Sequence, residues 1–177
     1  EALVLDFRKM ENLEFIVPEN RWSSLRKYLQ KCLKNLTEPK LETEQRASMY
    51  RKLNELNRVS LREAFDLFCK KYSIDLTDLW PVFGRNDLVG LVDIRNKLNH
   101  GDPFPHDMFG SLIVAKEHLL YVIERVLIRI LKWNVAETKI RPAYLKSHML
   151  VIKDMPKAQT KLSEHIKDSR IPAAQQK

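Results

Sequence analysis

The stretch that decides the fold is Asp107–Trp133, DMFGSLIVAKEHLLYVIERVLIRILKW. Its apolar residues recur at intervals of three and four, the period of an α-helix. They form two adjacent rows, one of Phe109, Ile113, Leu120, Ile123, Leu127 and Ile130 and one of Met108, Leu112, Ala115, Leu119, Val122 and Val126. The remaining face carries Glu117, Glu124, Arg125, Arg129 and Lys132. A helix that is apolar over two rows is typical of the central member of a bundle. The sequence therefore predicts an all-α fold.

Weaker helical patterns lie on the N-terminal side of this stretch. The spacing of apolar residues predicts helices within residues 18–36, 40–56, 61–72 and 86–100. Ser60 followed by Glu63 has the spacing of a capping box, which predicts a helix start. Asn86 is the expected N-cap of the next helix, and Gly101 its expected stop.

The two ends of the chain differ from this helical part. Ala2–Phe7 and Leu13–Val17 are interpreted as short extended pieces, and Met155–Lys177 as loosely ordered. The sequence thus predicts an extended N-terminal segment over 1–17, a helical domain over 18–134 and a basic extension over 135–177. Because the chain begins with Glu, we expect that it is processed or is part of a longer protein.

Composition excludes several classes of protein. Four glycines in 177 residues argue against Gly-rich phosphate loops, and two cysteines cannot form a disulfide framework. No apolar run is long enough to cross a bilayer, so we expect a cytoplasmic protein without membrane contact. Residues 132–177 carry ten Lys and Arg against four Asp and Glu, most of the net charge of +8. Such a basic end either attracts polyanions or simply improves solvation.

Candidate chemistry concentrates in residues 93–102, DIRNKLNHGD, at the end of a predicted helix. Helical spacing places Asn96 and His100 on one face, with Arg95 and Asn99 along its edge. The negative end of the helix dipole favours a protonated histidine there. A plain alternative is a polar last turn, in which Asp93 pairs with Lys97. Elsewhere the histidines lack the spacing of a zinc site, and His118 is expected to be structural.

The segment Arg95–His100 resembles the R-x4-6-H motif of the HEPN superfamily, in the form with Asn after Arg and Gly after His. The resemblance covers roughly Trp22–Trp133, and the long helix after a short loop fits it. The resemblance implies a helical bundle and a metal-independent endoribonuclease that dimerises around a composite cleft. An extended segment before such a domain is similar to ApeA-type defence proteins.

This resemblance assigns Arg95, Asn96 and His100 as catalytic residues, acting on RNA without a metal or other cofactor. Further RNA contacts are expected from Lys97, Asn99, Lys139, Arg141 and Lys146. Expected partners are RNA, a second copy of the chain and a regulatory domain or antitoxin, in phage defence or as a toxin. Two alternatives stay open: a catalytically silent HEPN domain, and a helical adaptor that binds another protein through exposed apolar faces.

Overall fold

Helices form the regular secondary structure of the computed structural model, which describes residues 2–101, 103–138 and 154–168. Within these ranges there are seven α-helices and no β-strand: α1 (Ala2–Met10), α2 (Glu19–Asn35), α3 (Thr43–Leu53), α4 (Leu61–Lys71), α5 (Leu91–Asn99), α6 (Phe109–Ile130) and α7 (Met155–Asp168). The predicted all-α class is confirmed for this part of the chain. In the same residues, no helix is both long and apolar enough to cross a membrane.

The chain divides into two compact units, Glu1–Phe68 and Cys69–Lys177, with the division inside α4. Each unit has its own core. The domain boundaries expected at residues 17 and 134 stay predictions.

The first unit begins with a helix, so the prediction of an extended piece at Ala2–Phe7 is wrong. Val4 and Phe7 lie one helical turn apart and are both buried. The Phe7 ring meets the Phe68 ring edge-on, with centroids 5.4 Å apart. A nine-residue helix is marginal in isolation, and this packing contact, which is distant in sequence, stabilises it.

A buried asparagine organises the segment between α1 and α2. The Asn57 side chain accepts a hydrogen bond from the Val17 N–H and donates one to the Val17 carbonyl, both 2.8 Å long. The backbone adds bonds from the Ile16 N–H to the Asn57 carbonyl and from the Val59 N–H to the Glu14 carbonyl. Residues 13–17 are therefore non-helical, as expected, but a single bridge between Phe15 and Arg58 replaces a strand.

The predicted capping box at the start of α4 is confirmed. The Glu63 N–H donates to Ser60 Oγ at 3.1 Å, and the Ser60 N–H donates to Glu63 Oε2 at 3.1 Å. The Ser60 hydroxyl also donates to Glu63 Oε2 at 2.9 Å. The bond from the Ser60 N–H, followed by the bond from its hydroxyl, lowers the pKa of the Glu63 carboxyl. The local pattern thus defines this helix start without help from distant residues.

In the second unit, α6 buries only one of its two predicted apolar rows. Met108, Ala115, Val122 and Val126 of the second row belong to the core. The first row is largely exposed, with Ile113 at 59% and Leu127 at 46%. In the described residues, one apolar row of α6 is therefore covered and the other is largely left to solvent. Helical periodicity identifies an apolar face but not the element that covers it.

Arg125, one of the charged residues on the remaining face of α6, is buried. Its side chain is 2% exposed and forms a two-pronged ion pair with Asp78, including Nη2 to Oδ2 at 2.7 Å. A third bond runs from Nη1 to the Asp75 carbonyl at 3.1 Å. The planar guanidinium matches the carboxylate, so a buried charge is compensated and anchors α6 to the turn after α4.

The region after Asp154 corrects a further expectation, because residues 155–168 form α7 rather than a loosely ordered tail. Ala158, Leu162 and Ile166, spaced four residues apart, are buried. Helix α7 packs mainly against α6. Part of the predicted basic extension therefore completes the core of the second unit.

We expect Asp78→Ala to lower the free energy of unfolding by about 3–5 kcal/mol, since it leaves the Arg125 charge buried without its partner. The control is Asp107→Ala, which removes an exposed ion pair with Lys161 and should change stability little. Urea denaturation followed by circular dichroism measures both variants. Equal midpoints for the two variants would contradict the structural importance of the Arg125–Asp78 pair.

Candidate functional site

The candidate site lies on α5, and a fully buried tryptophan positions the start of this helix. The Trp80 indole N–H donates to the Val89 carbonyl at 2.9 Å. The Val89 N–H in turn donates to Ser163 Oγ on α7 at 2.9 Å. Trp80 also donates its backbone N–H to Nδ1 of His118 on α6 at 3.1 Å. Val89, the residue before Gly90, is thereby bound to Trp80 and to α7, and Trp80 is itself bound to α6.

Helix α5 starts at Leu91, five residues later than Asn86, the expected cap. Asn86 and Asp87 have φ of 47° and 66° and lie in a turn closed by the paired backbones of Arg85 and Leu88. Asparagine and aspartate tolerate this left-handed conformation better than most residues. Asn86 is therefore a turn residue.

The first amide groups of α5 find acceptors outside the helix. The N–H groups of Leu91 and Val92 donate to the carbonyls of Pro81 and Val82, each at 3.0 Å. The Gly90 N–H donates to Asp93 Oδ2 at 2.9 Å. Three groups that a helix leaves unpaired at its start are thus satisfied by the preceding loop and by Asp93.

The same loop approaches the helix start so closely that it requires glycine. A Cβ on Gly90 would lie 2.3 Å from the Gly84 nitrogen and 2.4 Å from the Phe83 carbonyl carbon. Both neighbours are backbone atoms, which cannot move aside independently. This contact fixes where α5 begins and hence the direction in which the helix leaves the loop.

Helix α5 separates a buried side from a polar exposed side. Leu91, Ile94 and Lys97 are buried, whereas the side chains assigned to catalysis are exposed, together with a further carboxamide: Arg95, Asn96, Asn99 and His100. At 100° per residue these four exposed positions span an arc of about 140° around the helix. The structure therefore presents the residues of the R-x4-6-H segment on one continuous polar surface.

His100 lies where the helix ends. It is the C-cap residue, and its backbone N–H still donates to the Asn96 carbonyl at 3.0 Å. Gly101 follows with φ of 75°, a conformation that favours glycine, so the predicted stop is confirmed. The His100 imidazole is exposed at the C-terminal end of the helix.

Lys97 differs from its neighbours because it is buried, with 8% of the residue exposed. Its ammonium lies 5.8 Å from the centroid of the Phe104 ring, and the same ring packs against His165 of α7. A cation over an aromatic face is a stabilising contact. The RNA contact expected for Lys97 stays a prediction, as does the one expected for Asn99. Sequence reasoning missed the contact of Lys97 with Phe104 and the contact of Phe104 with His165.

His118 has the structural role that the sequence indicates. The residue is fully buried, and its Nδ1 accepts the Trp80 N–H. An accepting nitrogen carries no proton, so Nδ1 is the unprotonated ring nitrogen. The two rings also make an edge contact, with centroids 6.2 Å apart.

Three basic residues predicted to contact RNA, Lys139, Arg141 and Lys146, lie outside the described residues. Lys161, another cation of the predicted basic extension, forms an ion pair with Asp107 at 2.6 Å and donates to the Asp107 carbonyl. That side-chain hydrogen bond lowers the pKa of the Asp107 carboxyl. At least one positive charge of this region therefore connects α7 to the turn before α6.

A groove near this region of the described surface is lined by residues outside α5. It has a volume of about 580 Å³ and lies between α6 and α7, with Glu117, Tyr121 and Lys157 among its lining residues. In the ranges that the structure describes, no three His, Cys, Asp or Glu side chains converge as metal ligands would. Comparison with protein-family models, with curated proteins and with solved structures gave no match.

We expect Gly90→Ala to lower the free energy of unfolding by about 1–3 kcal/mol, because the added methyl collides with the backbone of the loop. Gly110→Ala is the control: it adds the same methyl within α6, where nothing lies within 4 Å. There the free energy of unfolding should stay constant or rise by up to about 1 kcal/mol. Thermal unfolding measures both. An undisturbed Gly90→Ala variant would disprove the close loop contact.

We expect diethylpyrocarbonate to modify His100 and His106 quickly and His118 slowly, since only the first two are exposed. Peptide mass spectrometry after short exposure of the folded protein gives the rate at each histidine. Unfolding the protein in urea first should make the three rates similar. Rapid modification of His118 in the folded protein would contradict its burial.

Proposed function

We propose that the chain is a metal-independent endoribonuclease of the HEPN type, with Arg95, Asn96 and His100 as its catalytic residues. The observation that carries this proposal is the exposure of these three side chains on one arc of α5. A helix whose start is held by the loop at Pro81–Gly90 can present them in a constant direction. Pre-positioned groups of this kind are what catalysis requires.

The chemistry follows from the side-chain types. His100 removes the proton of a ribose 2′-OH or protonates the leaving 5′ oxygen, and the ring suits both roles near neutral pH. The 2′ oxygen attacks the adjacent phosphorus, and the bond from phosphorus to the 5′ oxygen breaks. The products are a 2′,3′-cyclic phosphate and a free 5′-OH. DNA lacks the 2′-OH and cannot react in this way.

Arg95 has the complementary role at the phosphate. Its planar guanidinium can donate two hydrogen bonds to the phosphate oxygens as negative charge builds up on them. Asn96 lies one helical turn before His100 and is within reach of the imidazole or of a phosphate oxygen. Asn99, on the Arg95 edge of the arc, is a candidate for additional RNA contacts.

The polar side chains assigned to catalysis on α5 are exposed, which bears on how the site would be completed. Ligand sites are generally concave, and an exposed helix side gains a second wall when another molecule covers it. In the proposed enzyme a second copy supplies that wall, so that two motifs face each other. Cytoplasmic action in phage defence or as a toxin, under control of a regulatory domain or antitoxin, belongs to the same proposal.

A second candidate function is favoured by a different observation. The exposed apolar row of α6 would suit a helical adaptor or a catalytically silent HEPN domain that binds another protein. In such a protein, Arg95 and His100 would be ordinary polar residues of a last helical turn. The two candidates differ in one measurable property, RNA cleavage.

We expect the purified protein to cleave mixed cellular RNA in the presence of EDTA and to leave cyclic phosphate ends. His100→Ala and Arg95→Ala should each reduce the cleavage rate by about 10²–10⁴-fold, because they remove the proton carrier and the phosphate donor. End-group analysis of the fragments and a time course measure both effects. Neither variant should shift the thermal midpoint, since both side chains are exposed.

Matched controls are His106→Ala and Arg51→Ala, which remove an exposed histidine and an exposed arginine outside the motif. Both should cleave at the wild-type rate. If His100→Ala also cleaves at that rate, the assignment of the site is wrong. If the wild-type protein leaves RNA intact under conditions in which it is folded, the adaptor function is favoured instead.

A further inference from the structure

A groove of the first unit lies between α2 and α3 and has a volume of about 400 Å³. Six of the eight residues that line it have large aliphatic or thioether side chains: Leu29, Leu33, Leu36, Met49, Leu53 and Leu56. The other two are Cys32 and Lys52, which are both exposed. The groove therefore combines an apolar lining with a single positively charged side chain.

Hydrogen bonds between the two helices hold the walls of this groove in place. Arg46 Nη1 donates to the Lys34 carbonyl at 3.0 Å, and Arg26 Nη1 donates to Asn54 Oδ1 at 3.0 Å. The first bond joins the end of α2 to the start of α3, and the second joins the start of α2 to the end of α3. The helices therefore run antiparallel, and the groove is already formed before a ligand enters it, as is usual for ligand sites.

The charge of the two helices favours an anion. Together α2 and α3 contain eight Lys and Arg residues against two Asp and Glu residues. Such an excess attracts negatively charged ligands to this surface. Lys52 is the member of this set that lines the groove, and its flexible stem can bring the ammonium to a ligand at the rim.

The size of the groove limits the ligand to a small one. Pockets for small molecules measure about 300–1,000 Å³, and this groove lies near the lower end of that range. Its α2 wall extends from Leu29 to Leu36, about 10 Å along the helix axis. These dimensions suit one alkyl chain rather than a lipid with two chains. A ligand with one alkyl chain and one carboxylate matches both the apolar lining and the single ammonium.

We propose that the groove between α2 and α3 binds a medium-chain fatty acid. Its alkyl chain lies against the leucines, and its carboxylate pairs with the Lys52 ammonium. Burial of the chain supplies most of the affinity, and the charged pair orients the ligand. The groove belongs to the first unit and the R-x4-6-H segment to the second, so this proposal does not depend on ribonuclease activity. Fatty-acid binding and RNA cleavage are measured separately, and either can fail without the other.

Titration calorimetry with decanoate tests the charge and the chain. We expect saturable binding, with 1-decanol about tenfold weaker because it lacks the carboxylate. Octanoate should bind about fourfold more weakly for each CH₂ that the groove no longer buries. Lys52→Glu should weaken decanoate binding by about tenfold or more, because it replaces attraction with repulsion.

Lys31→Glu is the matched control for this charge change. Lys31 is an exposed lysine of α2 that does not line the groove, and its variant should bind decanoate within about twofold of wild type. Equal affinity for decanoate and 1-decanol, or equal losses in the two lysine variants, would overturn the proposal.

The thiol of Cys32 reports where the ligand binds. Saturating decanoate should slow alkylation of Cys32 by iodoacetamide severalfold and leave the rate at Cys69, in the second unit, unchanged. Peptide mass spectrometry gives both rates. Met49→Glu should fold, since Met49 is 41% exposed, but should bind decanoate at least about tenfold more weakly.

Met10→Glu is the control for the methionine change, because Met10 is 78% exposed and lies on α1, outside the groove. It should bind decanoate as wild type does, and circular dichroism checks that both variants are folded. Absence of Cys32 protection at saturating decanoate, or wild-type affinity in Met49→Glu, would show that the fatty acid does not occupy this groove.

Discussion

The two hydrogen bonds that Trp80 donates are the interaction on which the second unit depends. Its backbone N–H binds His118 of α6, and its indole N–H binds the carbonyl of Val89, just before α5. Each donor is deeply buried, and leaving one unpaired would cost about 1–3 kcal/mol. Ser163 of α7 continues the network by accepting the Val89 N–H and donating to the Gln159 carbonyl. A continuous chain of hydrogen bonds therefore connects the start of α5 with α6 and α7.

The direction of α5, which carries the candidate site, is set by this hydrogen-bond network and not by the sequence of the site itself. Helix α5 has nine residues and would be marginal by itself. Its first amides use carbonyls of Pro81 and Val82, and Gly90 lies against the backbone of Phe83. The opposite end stops at Gly101 for a purely local reason. The arc that contains Arg95 and His100 is therefore directed by a loop that carries none of the proposed chemistry.

Local sequence rules predicted the parts of the fold in which residues close in sequence complete each other's hydrogen bonds or backbone conformation. The Ser60–Glu63 box starts α4, and Gly101 ends α5, as the sequence indicates. The rules failed at α1, where an apolar run suits a strand as well as a helix until Phe68 packs against it. They also failed at α7, whose spacing of four from Ala158 was present but obscured by surrounding charged residues. The exposure of Arg95, Asn96 and His100 was predictable from the sequence. The burial of Lys97 was not, because it depends on the contact with Phe104.

The sequence by itself determined the helical class, the long amphipathic α6 and the spacing of Arg95, Asn96 and His100 on one side of a helix. These follow from the 100° turn per residue, a property of the local backbone. Tertiary structure alone decided which apolar side of α6 is buried and that Arg125 is paired inside the core. Periodicity specifies the direction in which a side chain points around the axis of its own helix. Burial depends on what other segments bring to that side, and the positions of those segments result from the free energy of the whole packed unit.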